Sequence, residues 1–386
     1  MAPFKFQTTP AIHFAEGAAA QIGEIARRTM SGNVLIVTDP GIEAAGLLDQ
    51  PLQALQDAGF SPVLFNAVEA DPSRDTVEAA SALARSNDVT GVIGIGGGSS
   101  LDVAKLAALL ATNIQRLDDC WGVGNVIATR LPLILVPTTA GTGSEVTPIS
   151  IVTVEEDEKR GVVSPVILPD AAILDPLLTI GLPPHVTAAT GIDAMVHAIE
   201  AATSKSANNN PVSQTLARQA LALLGKNIEA AVFNGENAEA RGAMLLGSML
   251  AGMAFANSPV AAVHALAYPI GGRFHVPHGL SNALVLPHVL RFNMPVVSAV
   301  YADLADHTFT DMPNGMGSQG KAAHYVEKLA HLSQKLGLPT RLRDVGIGSD
   351  DLPGMAADAM KQTRLLVNNP RNVTEDDAFT IYRAAW

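Results

Sequence analysis

Cysteine is nearly absent: the 386 residues contain one, Cys120, which excludes an intramolecular disulfide framework and fits a reducing compartment. Charge is scarce too. Only 16% of residues are Asp, Glu, Lys or Arg against 48% hydrophobic, so much of the chain must be buried, and the length suggests two domains. Basic residues are the scarcer sign, 25 against 37 acidic, for a net charge of -12. That deficit argues against nucleic acid or an anionic membrane as a partner. The opening Met1-Ala-Pro-Phe-Lys-Phe-Gln7 has no apolar signal core, so a cytoplasmic location is expected. No Asp, Glu, Lys or Arg occurs between Arg241 and Arg273, a length that could cross a bilayer. Its Ala and Gly content, and its interruption by Asn257-Ser258-Pro259 and His264, read instead as a pair of helices buried in a soluble core.

What is present has an order. In the first half, short apolar runs alternate with amphipathic stretches. Residues 33–39, 62–65, 91–95 and 132–136 read as buried strands, with helical patterns near 17–30, 41–59, 73–86 and 99–112. Such alternation implies a parallel sheet covered on both faces. After Gly181-Leu-Pro-Pro184 the pattern becomes long Ala- and Leu-rich helices with almost no strand signal, and Pro183-Pro184 marks a hinge or helix start. The expected organisation is an α/β domain over 1–182 and an all-helical domain over 183–386.

Two loops follow strands. Gly94-Ile-Gly-Gly-Gly-Ser-Ser-Leu-Asp-Val-Ala-Lys105 opens a helix. Gly96, Gly97 and Gly98 let backbone N–H groups approach a ligand, and Ser99 or Ser100 is expected to cap a helix whose positive end suits a pyrophosphate. The dinucleotide pattern G-x-G-x-x-G is not met, because Ser99 stands in place of the third glycine. A tight turn without a ligand is the competing reading. Thr138-Thr-Ala-Gly-Thr-Gly-Ser-Glu145 is a second, uncharged polar loop; two such loops at the carboxyl ends of parallel strands match where open α/β sheets bind ligands. Asp39 ends the first strand. A carboxylate there suits the adenosine ribose hydroxyls and repels a 2′-phosphate, or else it merely turns the chain before Pro40-Gly41. No G-x-S-x-G nucleophile elbow occurs.

The apolar stretch Thr187–Ala202 places Asp193 and His197 four residues apart, on one helix face. A carboxylate in such a helix is costly unless paired or metal-bound, so either an Asp–His hydrogen bond or a metal pair fits. His264 and His278 lie in a second apolar stretch broken by Gly and Pro, with His275 and His288 as competitors. One carboxylate and three imidazoles suit Fe(II) or Zn(II) better than Mg or Ca.

Over nearly its whole length the chain resembles the iron-dependent (group III) alcohol dehydrogenases. The resemblance rests on Gly96-Gly-Gly-Ser99 with Asp102 and Lys105, on Thr138–Glu145, on Ala188-Ala-Thr-Gly-Ile-Asp-Ala-Met-Val-His-Ala-Ile-Glu200, and on His264 through Pro277-His-Gly-Leu-Ser-Asn-Ala283. It implies a dehydroquinate synthase-like superfold and metal ligands at Asp193, His197, His264 and His278. It implies NAD(H) held by Asp39, Gly96, Gly97, Gly98, Ser99, Asp102, Thr138, Thr139, Thr142, Ser144, Lys159 and Leu178. The activity implied is hydride exchange between the nicotinamide and a small alcohol or aldehyde on a metal Lewis acid, in a homodimer or higher homo-oligomer. One departure is Tyr268, where many relatives carry His close to the nicotinamide; a phenol ionises near pH 10, an imidazole near 6.5. A dehydroquinate synthase-like lyase is a rival, but a phosphorylated substrate needs basic residues and Arg273 stands alone between 242 and 290. A metal-free reductase of the maleylacetate type, or a non-enzymatic nucleotide-binding protein of the same fold, fits the intact ligand set poorly.

Overall fold

The computed structural model describes residues 3–154, 158–313 and 315–386. Among the described residues nine strands form in chain order: β1 (Ala11–Phe14), β2 (Asn33–Val37), β3 (Ser61–Phe65), β4 (Gly91–Gly96), β5 (Gly122–Val123), β6 (Leu133–Pro137), β7 (Ile149–Thr153), β8 (Lys159–Val163) and β9 (Ala171–Leu174). Six of them make one sheet in the order β1-β9-β6-β4-β2-β3, and every pairing in it is parallel. Strand alternation sends Val34, Ile36, Ile93, Ile95, Ile134 and Val136 to one core and Leu35, Val37, Val92, Leu133 and Leu135 to the other. Helices Arg74–Ser86 and Gly98–Leu110 complete the second of these cores. The parallel sheet covered on both faces is therefore as expected.

The differences have local causes. The expected helix over 17–30 is a 3-10 turn, Ala18–Gln21, running into a helix of five residues, Ile22–Ala26. The pattern over 41–59 holds two helices, Pro40–Ala44 and Asp49–Asp57, because the chain turns between them with Gly46 at φ 69°. The strands β1 and β9 are four residues each, too short to stand out as apolar runs. The small sheet β5-β8-β7 was not anticipated either, since β8 begins with Lys159 and Arg160.

The chain divides into two compact units, Gln7–Gly181 and Leu182–Trp386, with Met1–Phe6 belonging to the second. Among the described residues the second unit has no strand, and Pro184 occupies the first turn of its first helix, Pro184–Thr203. The uncharged stretch falls within two helices, Ala238–Asn257 and Ala262–Phe274, which meet at 107°. Polar side chains receive the groups freed at that break: half-buried Asn208 donates to the Asn257 carbonyl, and buried Ser204 and Asn368 donate to Pro259 and Val260. Most residues of both helices are buried within the unit, as expected of core helices. Helix His278–Thr308 is long and apolar enough to cross a membrane, but it carries Pro287 and Pro295 and kinks at Val297.

Candidate metal centre and nucleotide loops

In the helical unit, Asp193 and His197 lie one turn apart on helix Pro184–Thr203, only 2% and 5% exposed. His264 is in the first turn of Ala262–Phe274, and His278 begins His278–Thr308. Gly279 lets that last helix approach: a side chain there would stand 2.5 Å from the Ala189 carbonyl, on the helix that carries Asp193. One ligand atom from each of the four side chains lies within 4.8 Å of all the others, and His278 is the partly exposed member. His197 stacks on Phe255 with ring centroids 4.4 Å apart, and on His264 at 4.7 Å.

Hydrogen bonds orient the cluster. Glu200, on the same helix as Asp193 and His197, bonds His264 Nδ1 at 2.7 Å through Oε2. Its two oxygens also accept from the Ala261 and Val263 N–H groups. His264 Nε2 is buried with no hydrogen-bond partner. Asn282 donates to Asp193 Oδ1 at 2.6 Å. Burial alone would raise the Asp193 pKa, but the imidazoles of His197, His278 and His264 and the Asn282 amide outweigh it and hold the carboxyl below its usual range. Burial, then His197 and His278, push His264 well below the usual imidazole value, so it stays neutral with a free lone pair. A neutral imidazole nitrogen orphaned beside an ionised carboxylate is the donor set a divalent cation needs, and the residues fit one.

The competing histidines lie elsewhere. His275 is exposed, in a left-handed conformation after Phe274. His288 lines a cavity of about 430 Å³ with Arg341, Arg343 and Arg383, and burial followed by Arg291 brings its pKa to about 4. Glu200 and Asn282 were not singled out from the sequence, yet their spacing is legible: three residues beyond His197 and four beyond His278, on the ligands' own helix faces.

In the α/β unit, the sheet order sets the carboxyl ends of β6, β4 and β2 side by side. A cavity of about 540 Å³ there is lined by Asp39, Val68, Gly97, Gly98, Ser99 and Ser100 among others. Neither serine caps the helix, contrary to expectation: Gly97 is the N-cap and the helix starts at Gly98, one residue early, so both serines fall in its first turn. Ser100 is buried and donates to Asp39 Oδ2. Asp39 Oδ1 accepts from the Gly41 and Ile42 N–H groups, so the carboxylate does cap Pro40–Ala44 while its side chain lines the cavity. Gly98 admits the second loop, since a side chain there would stand 2.7 Å from Thr142 Cγ2. Thr139 lies 3.6 Å from the same test position at Gly97. Thr138 Oγ1 is buried without a partner.

Other residues of the expected nucleotide set are occupied within the protein. Asp102 accepts from Ser144 Oγ at 2.6 Å and from the Ile151 N–H, and Lys105, fully buried, donates to Ser144 and to the Ile149 carbonyl. Burial lowers the Lys105 pKa, while Asp102 and Glu145 pull it back. Lys105→Ala should lower the unfolding free energy by about 3 kcal/mol, the low end for breaking a buried pair, read as a denaturation midpoint shift; an unchanged midpoint contradicts this. Lys159 pairs with Asp71, one residue past Ala70 of the cavity wall. Leu178 packs in the core on the Ile36 face.

A glycine-lined helix start at the carboxyl edge of a parallel sheet, in a chain that also gathers a carboxylate and three imidazoles, fits the class of nucleotide-dependent metalloenzymes. Comparison with known proteins narrows this. Residues 9–176 match the family "Iron-containing alcohol dehydrogenase", and residues 187–386 match "Fe-containing alcohol dehydrogenase family, C-terminal". The chain is 41% identical to Long-chain-alcohol dehydrogenase 1 of Geobacillus thermodenitrificans, over 98% of this chain and 95% of that protein. It is 37% identical to the 1,3-propanediol dehydrogenase of Klebsiella pneumoniae, over 97% and 96%. A crystal structure of 1,3-propanediol oxidoreductase superposes with a TM-score of 0.96 at 36% identity, covering both chains completely. The chain belongs to the iron-containing alcohol dehydrogenase family. Its reaction is the NAD-linked interconversion of an alcohol and its aldehyde or ketone, which sets aside the lyase and non-enzymatic readings.

Proposed function

We propose that Asp193, His197, His264 and His278 hold one divalent cation, Fe(II) rather than Zn(II), and that the enzyme prefers NAD(H) to NADP(H). The observation that carries the metal reading is the buried, unpartnered His264 Nε2 within 4.8 Å of three other ligand atoms. The choice of iron follows the family to which the chain belongs. When bound, the cation supplies a Lewis acid that makes the alcohol easier to deprotonate, and the nicotinamide accepts the hydride.

The chain's own residues prepare that chemistry. Asn282 holds the Asp193 carboxylate and Glu200 holds the His264 ring, so both present fixed atoms. Phe255 covers one face of His197, and burial keeps competing water from Asp193, His197 and His264. Gly97, Gly98 and Ser99 offer a helix N-terminus to the pyrophosphate, and Thr138 Oγ1 has an uncommitted hydroxyl for the dinucleotide. Asp102 and Ser144 support that loop from beneath, through Lys105. A panel of alcohols and aldehydes, assayed at the NADH absorbance band on enzyme reconstituted separately with Fe(II) and Zn(II), tests the reading. Turnover with Fe(II) and NAD supports it; equal turnover in metal-stripped enzyme overturns it.

Tyr268 lies half-buried, its ring 6.1 Å from that of His278. We assign it a hydrogen bond to the reacting oxygen rather than a place among the ligands. Tyr268→Phe should keep full metal content, lower kcat about tenfold for one hydrogen bond of ~1.5 kcal/mol, and change the pH profile of turnover. Loss of metal from this variant, seen by elemental analysis, would move Tyr268 into the ligand set.

A further inference from the structure

We infer that Glu200 is the positioning residue of the metal centre, setting both the tautomer and the place of the His264 ring through one carboxylate. The inference rests on the reading of the four side chains as a cation site.

An imidazole carries its proton on either nitrogen, and only the unprotonated one can ligate. Glu200 Oε2 lies 2.7 Å from His264 Nδ1 while both of its oxygens accept from backbone N–H groups, donors that favour the carboxylate; burial raises the pKa of this carboxyl to about 7, so at pH 8 it is ionised and can only accept at Nδ1. The proton is therefore on Nδ1, and Nε2, buried and without a partner, presents its lone pair to the cluster.

The same carboxylate also fixes where the ring sits. It accepts from the Ala261 N–H at 3.0 Å and from the Val263 N–H at 2.7 Å, the N-cap residue and the second residue of helix Ala262–Phe274. That helix starts just after the 107° break from Ala238–Asn257, and nothing else in its own sequence caps it. Glu200 is 3% exposed and stands on Pro184–Thr203, seven residues after Asp193 and three after His197. One rigid helix thus carries two ligands and the group that anchors the third. A purely structural cap would satisfy the two backbone donors and be indifferent to the imidazole tautomer.

Glu200→Gln separates these roles. With its NH₂ in place of Oε2 the amide would face the Ala261 N–H and His264 Nδ1 and move the imidazole proton to Nε2; with its NH₂ in place of Oε1 it would lose the Val263 N–H that anchors the ring, so either orientation weakens the site. The folded variant, checked by circular dichroism, should bind Co(II), followed by its visible absorption, about 10- to 100-fold more weakly than wild type. Co(II) affinity equal to wild type overturns the inference. A second measurement needs no variant: ¹⁵N-histidine NMR of the metal-free wild-type protein at pH 8 should show His264 protonated at Nδ1, and protonation at Nε2 overturns the inference whether or not Glu200→Gln folds. Equal Co(II) binding by wild type and His264→Ala would instead overturn the metal centre itself, whichever tautomer His264 shows.

Discussion

His264→Ala should purify with far less than one divalent ion per chain, and kcat/KM for alcohol oxidation should fall by about 10⁴-fold. The size follows from what is removed. A Lewis acid is worth several kcal/mol of transition-state charge stabilisation, and each 1.36 kcal/mol is about a factor of ten in rate. The site leaves little to replace it. His264 is buried, and removing it also leaves Glu200 Oε2 without its imidazole partner. Asp193 then faces two imidazoles instead of three, and burial pushes its carboxyl up. The variant should fold, because Glu200 retains the Ala261 and Val263 N–H groups. Elemental analysis of both proteins after metal supplementation checks the claim. Equal metal content would remove His264 from the ligand set.

The second large effect concerns the nucleotide. Asp39→Gly should change the ratio of kcat/KM with NADP to that with NAD by about 10³-fold in favour of NADP. A hydrogen bond to a charged group contributes roughly 1.5–3 kcal/mol, and a carboxylate that accepts from ribose hydroxyls would repel a 2′-phosphate placed there by a comparable amount. The position fits: Asp39 follows β2 at the carboxyl edge of the sheet and lines the same cavity as Gly97 and Ser99. Its present duties compete with this role, since Oδ1 caps Pro40–Ala44 and Oδ2 accepts from Ser100. Glycine is the informative replacement, because it costs only a few tenths of a kcal/mol at an N-cap. If capping were the only duty, both cofactors would weaken together. An unchanged ratio in a folded variant contradicts the nucleotide claim and leaves the metal claim standing.

Part of this was legible in the sequence because the physics is local. Continuous apolar runs such as Gly91–Ile95 can be covered only on both faces, so they announce a parallel sheet. A carboxylate and imidazoles in apolar helices announce a shared partner, because burial is otherwise too costly. What stayed hidden depends on tertiary placement. The strands β1 and β9 are too short to carry a period, and β8 opens with the charged Lys159 and Arg160, of which Lys159 pairs with the distant Asp71. Ser99 and Ser100 looked like caps because serine usually is one; the helix begins at Gly98 instead, and Ser100 serves Asp39 across 61 positions of chain. Glu200 shared a helix face with two ligands from the start, but only the fold shows that it reaches Ala261, Val263 and His264.

The most direct test of the central claim is anomalous diffraction at the iron edge from crystals of Fe(II)-loaded protein. The account predicts one strong peak per chain, bonded to a carboxylate oxygen of Asp193 and to ring nitrogens of His197, His264 and His278 at about 2.0–2.2 Å, by analogy with zinc. A peak held by other residues, such as His275 or His288, or no peak in crystals of active enzyme, would contradict it.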